Sequence, residues 1–108
     1  MALDISSLTQ TMMTAGQGLA GNVWERMQTY AVPELKKIAT QIVAIAENRA
    51  DYTEAGARTL LRMQVNATVA VFVAMTTLTM LEVETAINAI LSAISEQVNA
   101  ALGFALLI

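Results

Sequence analysis

The longest unbroken pattern in the chain runs from Thr53 to Leu102. Across it Val65, Val69, Phe72, Met80, Val83, Ile87, Ile90, Ile94, Val98 and Ala101 recur at steps of three and four, with Thr76 filling the one gap. Steps of three and four place side chains on one face of an α-helix. The mean step follows the helical repeat rather than a strict heptad, which predicts a fairly straight helix. From Glu82 onward the opposite side is polar, carrying Glu84, Asn88, Ser92, Ser95, Glu96 and Asn99. That half reads as an amphipathic helix with one buried side.

The half before it is different. Leu60, Met63, Ala67, Ala70, Val71, Ala74, Met75, Leu78 and Leu81 form a second apolar face roughly opposite the first, and the 19 residues between Arg62 and Glu82 include no charge. A helix that is apolar almost all round must be buried almost all round. One partner arm within a small chain cannot cover both faces. The sequence therefore predicts a self-association surface over Leu60, Met63, Ala67, Val71, Ala74, Met75, Leu78 and Leu81, covered by other copies of the chain or by lipid. The C-terminal run Phe104, Ala105, Leu106, Leu107, Ile108 is also apolar, where chain ends are ordinarily polar and frayed. Phe104, Leu106 and Leu107 join the same predicted surface.

Toward the N-terminus, Asp4 or Ser6 can cap a first helix whose apolar row is Ile5, Leu8, Met12, Leu19, Val23, Met27 and Tyr30. Gly16, Gly18 and Gly21 interrupt that row. Each costs about 1 kcal/mol against Ala inside a helix, so the segment is either a break or a place where another helix comes very close. Pro33 predicts a short break near Ala31–Pro33, because the residue before a proline is pushed out of helical angles. The stretch from Pro33 to about Arg49 buries Leu35, Ile38, Ile42 and Ile45 and turns Lys36, Lys37, Gln41 and Asn48 outward. A turn follows at Asn48–Thr53, where Asp51 or Thr53 can cap the long helix.

The fold expected from this pattern is all-α and a single domain over residues 1–108. Its simplest form is a long antiparallel helical hairpin with a kinked first arm, assembled as an oligomer. At 1.5 Å per residue, arms of 45–50 residues would reach roughly 70 Å. The alternative is a three- or four-helix bundle, which requires a further turn, for instance at Thr76–Thr79. Composition strengthens the oligomer or membrane expectation. Apolar residues make up 56% of the chain and charged residues 14%, against about 45–50% and about 25% in ordinary soluble domains.

Net charge is −3 with no basic cluster, which argues against nucleic acid as a partner. There is no cysteine and no histidine. Thiolate chemistry, the commonest general base and the Glu-x-x-His ligands of di-iron bundles are thereby removed. Glu82 and Glu84 are two apart and point to different sides of a helix, so they do not jointly hold a metal. Arg58 and Arg62 are placed to pair with Glu54 or Glu47 near the turn. The run Gly16-Gln17-Gly18-Leu19-Ala20-Gly21 fits G-x-G-x-x-G by letters, but a dinucleotide site needs a preceding buried strand, and no strand is expected here. Of the seven methionines, Met12, Met27, Met63, Met75 and Met80 sit at helical spacing among other apolar residues and read as core filling. No catalytic, cofactor-binding or metal-ligating residue is predicted.

Three functional readings follow. The first is a non-catalytic structural protein that self-assembles through apolar helix faces into an oligomer or filament, with other copies as its partners. The second is a membrane-associated or pore-forming protein, because residues 63–81 match the roughly 30 Å of a hydrocarbon core in length. Gln64, Asn66 and the threonines within that segment weigh against it. The third is a carrier of a small apolar ligand held between helices. The N-terminus shows neither a basic region nor a long apolar core, so no signal peptide is recognised, and the compartment stays open.

Overall fold

In a computed structural model the chain is described over residues 3–107. It is all-helical, with no strand among the described residues. Helix α1 covers Ile5–Gln17, α2 Val23–Glu47, α3 Glu54–Met75 and α4 Met80–Leu102. A single 3-10 turn, Arg49–Asp51, lies between α2 and α3. The principal extents are 40 × 22 × 20 Å. A hairpin with unbroken arms of the predicted length would be far longer, so the hairpin expectation is replaced by its alternative, a compact bundle of four helices. α2 and α4 pack against each other, and each also packs against both α1 and α3. α1 and α3 therefore lie on opposite sides of the α2–α4 pair, and the outer face of α3 points away from the rest of the molecule.

Two differences from the expected helix pattern have local causes. The first arm does not break at Pro33; α2 runs through it. Pro33 is exposed, as is Thr29, whose carbonyl loses its helical donor. Water can satisfy that carbonyl, and the inward residues Trp24, Met27 and Ala31 before the proline and Leu35, Ile38 and Ile42 after it form one buried face. Burial along 25 residues outweighs one missing bond on the solvent side. The break falls instead at the glycines. α1 ends at Gly18, and Gly21 takes a left-handed φ of 72°, which costs a glycine little. Gly16 has the other role foreseen for this cluster. It is buried in the last turn of α1, and a Cβ there would collide with the indole of Trp24.

The long C-terminal helix is also divided. The Thr76 hydroxyl donates to the Phe72 carbonyl and accepts the Leu78 N–H at 3.2 Å, which closes α3 and turns the chain. Thr79 then opens α4 through a reciprocal capping box. Its hydroxyl accepts the Glu82 N–H at 3.2 Å, and the Glu82 carboxylate accepts the Thr79 N–H at 3.0 Å. Thr-x-x-Glu is itself a helix-start signal, and the boundary falls at Thr76–Thr79, where the bundle alternative requires a turn. The starts of α1 and α3 follow expectation, Asp4 accepting the Ser7 N–H and Thr53 accepting the Gly56 N–H, whereas α2 starts at Val23, ten residues before Pro33, with no side-chain cap from Asn22.

Candidate self-association surface

α3 carries two faces of contrasting chemistry. Its inward residues Ala57, Leu61, Thr68, Val69 and Phe72 are buried. On the outward side Met63, Ala67, Ala70 and Ala74 are all exposed, and their spacing of four, three and four puts them in one line along the helix. Met63 is 64% exposed, and Met75, Met80 and Leu81 at the α3–α4 turn are 53%, 57% and 74% exposed. Scattered exposed apolar residues are ordinary on a protein surface. Here Met63, Ala67, Ala70 and Ala74 form one uncharged line along α3, and contiguous apolar surface of that kind marks interaction sites. Leu81, on α4, instead lines a groove with Leu19, Ala20 and Val23.

The eleven predicted surface residues do not all belong to this strip. Met63, Ala67 and Ala74 are exposed on it, Leu60 and Val71 are half-buried at its edge, and Met75 and Leu81 are exposed at the α3–α4 turn. Leu78 is buried in the turn between α3 and α4, and Leu106 and Leu107 are buried against the chain's own α3 and α4. Leu106 and Leu107 of the apolar tail are thus covered from within, and Ile108 lies outside the described residues. Gly103 takes a left-handed φ of 79° and sends residues 104–107 back across the bundle. Asn99 then clasps them. Its amide oxygen accepts the N–H groups of Leu106 and Leu107 at 2.9 and 3.0 Å, and its amide nitrogen donates to the Leu107 carbonyl at 2.7 Å. Arg58 donates to the Ala105 carbonyl at 2.7 Å. The guanidinium groups of Arg49 and Arg58 each lie 5.7 Å from the centre of the half-buried Phe104 ring, within cation–π range.

Sequence reasoning missed Met80, because its place in the first apolar row reads as core. It also missed the groove between the α1–α2 connection and α4, lined by Leu19, Ala20, Val23, Leu81, Glu82 and Ala86. Nothing local in the sequence joins those two segments; only the bundle topology brings the two connections to one end.

Charged groups stand around the strip rather than in it. Arg62 is exposed just before it, and Glu82 and Glu84 are exposed just after it. The Glu82 carboxyl is held below its ordinary pKa, chiefly by the hydrogen bond from the Thr79 backbone N–H, then by the Thr79 hydroxyl, with a smaller contribution from the Arg26 charge. Arg58 pairs with Glu54 at 3.4 Å. Glu34, buried on α2, holds Lys37 at 2.8 Å. Among the described residues no group of three His, Cys, Asp or Glu side chains is arranged to hold a metal ion.

Residues 63–81 do not form one helix. They comprise the end of α3, a turn and the start of α4, so no single helix runs through the segment read as a possible span. Among the described residues no helix is long and apolar enough to cross a membrane. No protein-family model matches the chain, and neither the curated proteins nor the solved structures contain a match to it.

Proposed function

We propose that the protein is a non-catalytic structural subunit that assembles with copies of itself through the outer face of α3. The observation that carries this reading is the exposed, uncharged line from Met63 to Ala74 along α3, a helix whose opposite face is used by the chain's own core. Removing such a strip from water is the main favourable term in protein association. The interface comprises Met63, Ala67, Ala70 and Ala74, with Leu60 and Val71 at its edge and Met75 at its end.

The test is light scattering after gel filtration in detergent-free buffer, on the natural chain and on Ala67→Glu. The natural chain is expected at a discrete multiple of 11.5 kDa or as a larger assembly. Ala67→Glu is expected at the mass of one chain with unchanged helical content, because Ala67 is exposed and outside the core. A natural chain that elutes as a monomer at every concentration sinks the proposal.

The groove lined by Leu19, Ala20, Val23, Leu81 and Ala86 supports a second reading, carriage of a small apolar ligand at that end of the bundle. Saturable binding of a fluorescent fatty acid, lost in Leu81→Glu and kept in Ala67→Glu, would favour it over assembly.

A further inference from the structure

We infer that the partner on the α3 face is a second copy of the chain docked antiparallel, its α3 against this α3, as a closed two-fold dimer. This rests on the self-assembly reading above and adds its geometry. The strip is bounded by a positive charge at one end and a negative charge at the other. Arg62 precedes Met63 at the end of the bundle where the C-terminal strap folds back. Glu84 is exposed in the second turn of α4, just after the α3–α4 turn, whereas Glu82 points the other way, into the groove with Leu19, Ala20 and Val23. A parallel pairing would set Arg62 against Arg62 and Glu84 against Glu84. An antiparallel pairing sets each Arg62 against Glu84 of the partner subunit. Opposed charges at an interface rim select orientation, and like charges exclude the alternative.

The side-chain sizes agree with the same register. With the two-fold axis between Ala67 and Ala70, Met63 meets Ala74 of the partner subunit, a large side chain against a small one. Ala67 then meets Ala70 of the partner subunit, which lets the two helices approach closely. Arg62 comes level with Met75 of the partner subunit and so beside the start of its α4. The flanks agree as well. Arg62 lies on the α4 side of α3, next to Leu106 and Leu107 of the strap. A two-fold axis perpendicular to α3 keeps α4 of one copy on the same side as α4 of the other. The contact is isologous, so it closes on itself and does not propagate. The line from Met63 to Ala74 is only about 16 Å long. A single helix pair of that length lies at the small end of protein interfaces, below about 1,200 Å² in total, so the dimer is expected to dissociate on dilution.

The chain has no cysteine, which permits a direct test by cross-linking. A mixture of Met63→Cys and Ala74→Cys chains, oxidised under non-denaturing conditions, is expected to give covalent dimer in several-fold excess over either variant alone. In the proposed register only the mixed pair brings Cα atoms within disulfide range, about 4.4–6.8 Å. Arg62→Glu is expected to weaken dimerisation in sedimentation equilibrium by at least about tenfold without changing helical content. Cross-linking of Met63→Cys to itself as efficient as the mixed pair would overturn the antiparallel geometry and leave assembly standing. So would an oligomer that tolerates Arg62→Glu unchanged. A natural chain that is monomeric throughout removes the geometry and the self-assembly reading together.

Discussion

The two ends of the bundle solve the same problem in opposite ways. At each, an apolar chain has to turn. At the end holding the α2–α3 turn and the C-terminus, the chain covers its own apolar residues. Leu106 and Leu107 are folded in, their backbone groups are taken by Asn99, and Phe104 lies under two guanidinium groups. At the end holding the α1–α2 and α3–α4 connections, capping is just as thorough, through Thr76, Thr79 and Glu82, yet Met75, Met80 and Leu81 stay in solvent. Satisfying the backbone and burying the side chains are thus separate tasks, and only one end completes both. An apolar segment in a sequence shows that cover is needed. Whether the cover comes from the same chain depends on where the turns bring the segments.

The largest effect that would sharpen this contrast lies within α3 itself. Phe72 is fully buried, and Met75, one turn on, is 53% exposed. Phe72→Ala should lower stability by about 3–5 kcal/mol in urea unfolding, as large-to-small core changes do. Met75→Ala should stay within about 0.5 kcal/mol, provided the protein is measured at a concentration where it is monomeric. Similar losses in both variants would mean that the outer face is packed within one chain.

A middle-sized effect is expected at the covered end. Asn99→Ala removes three hydrogen bonds to the strap, each worth on the order of 1 kcal/mol or less net. A loss of about 2 kcal/mol is expected, with hydrogen exchange faster at Leu106 and Leu107 and unchanged at the centres of α2 and α4. Uniformly faster exchange would show that the strap is part of the cooperative core rather than a clasp laid over it.

The smallest effect concerns acid at the open end. Glu82 has a lowered pKa in the folded chain. A group of this kind adds stability fully above the ordinary carboxylate range, and that stability is lost as pH falls through the depressed folded value. The side chain is exposed, so the contribution is small. Glu82→Gln should flatten part of the acid limb of a melting-temperature profile and leave the neutral plateau nearly unmoved. A steeper acid limb in that variant would contradict the capping role.

Much of the fold is legible in the residue pattern, and the departures have physical reasons. The caps at Asp4 and Thr53, the inward row Ile38, Ile42, Ile45 and the α4 row Val83 to Val98 are local features, and local spacing defines them. The extra turn is equally local: Thr76–Thr79 is the place the bundle alternative offers for it, and Thr-x-x-Glu from Thr79 to Glu82 marks the new helix start. Pro33 misleads, because its penalty is judged in isolation while burial on both sides of it is collective. The candidate surface is legible only in part. Met63, Ala67 and Ala74 follow from helical geometry once α3 is fixed. The burial of Leu78, Leu106 and Leu107 depends on Asn99 and Gly103, which announce nothing about the tail until the chain is folded back.

The collision that bars a side chain at Gly16 has a further consequence. Trp24 is the one tryptophan in the protein, is 9% exposed, and rests its ring where that side chain would be. Its fluorescence therefore reports on one joint of the molecule, the seating of α1 on α2. If α1 lifts away while the other three helices stay together, the emission shifts to the red before the far-ultraviolet circular dichroism changes. The protein carries a built-in optical gauge for the first step of its own disassembly.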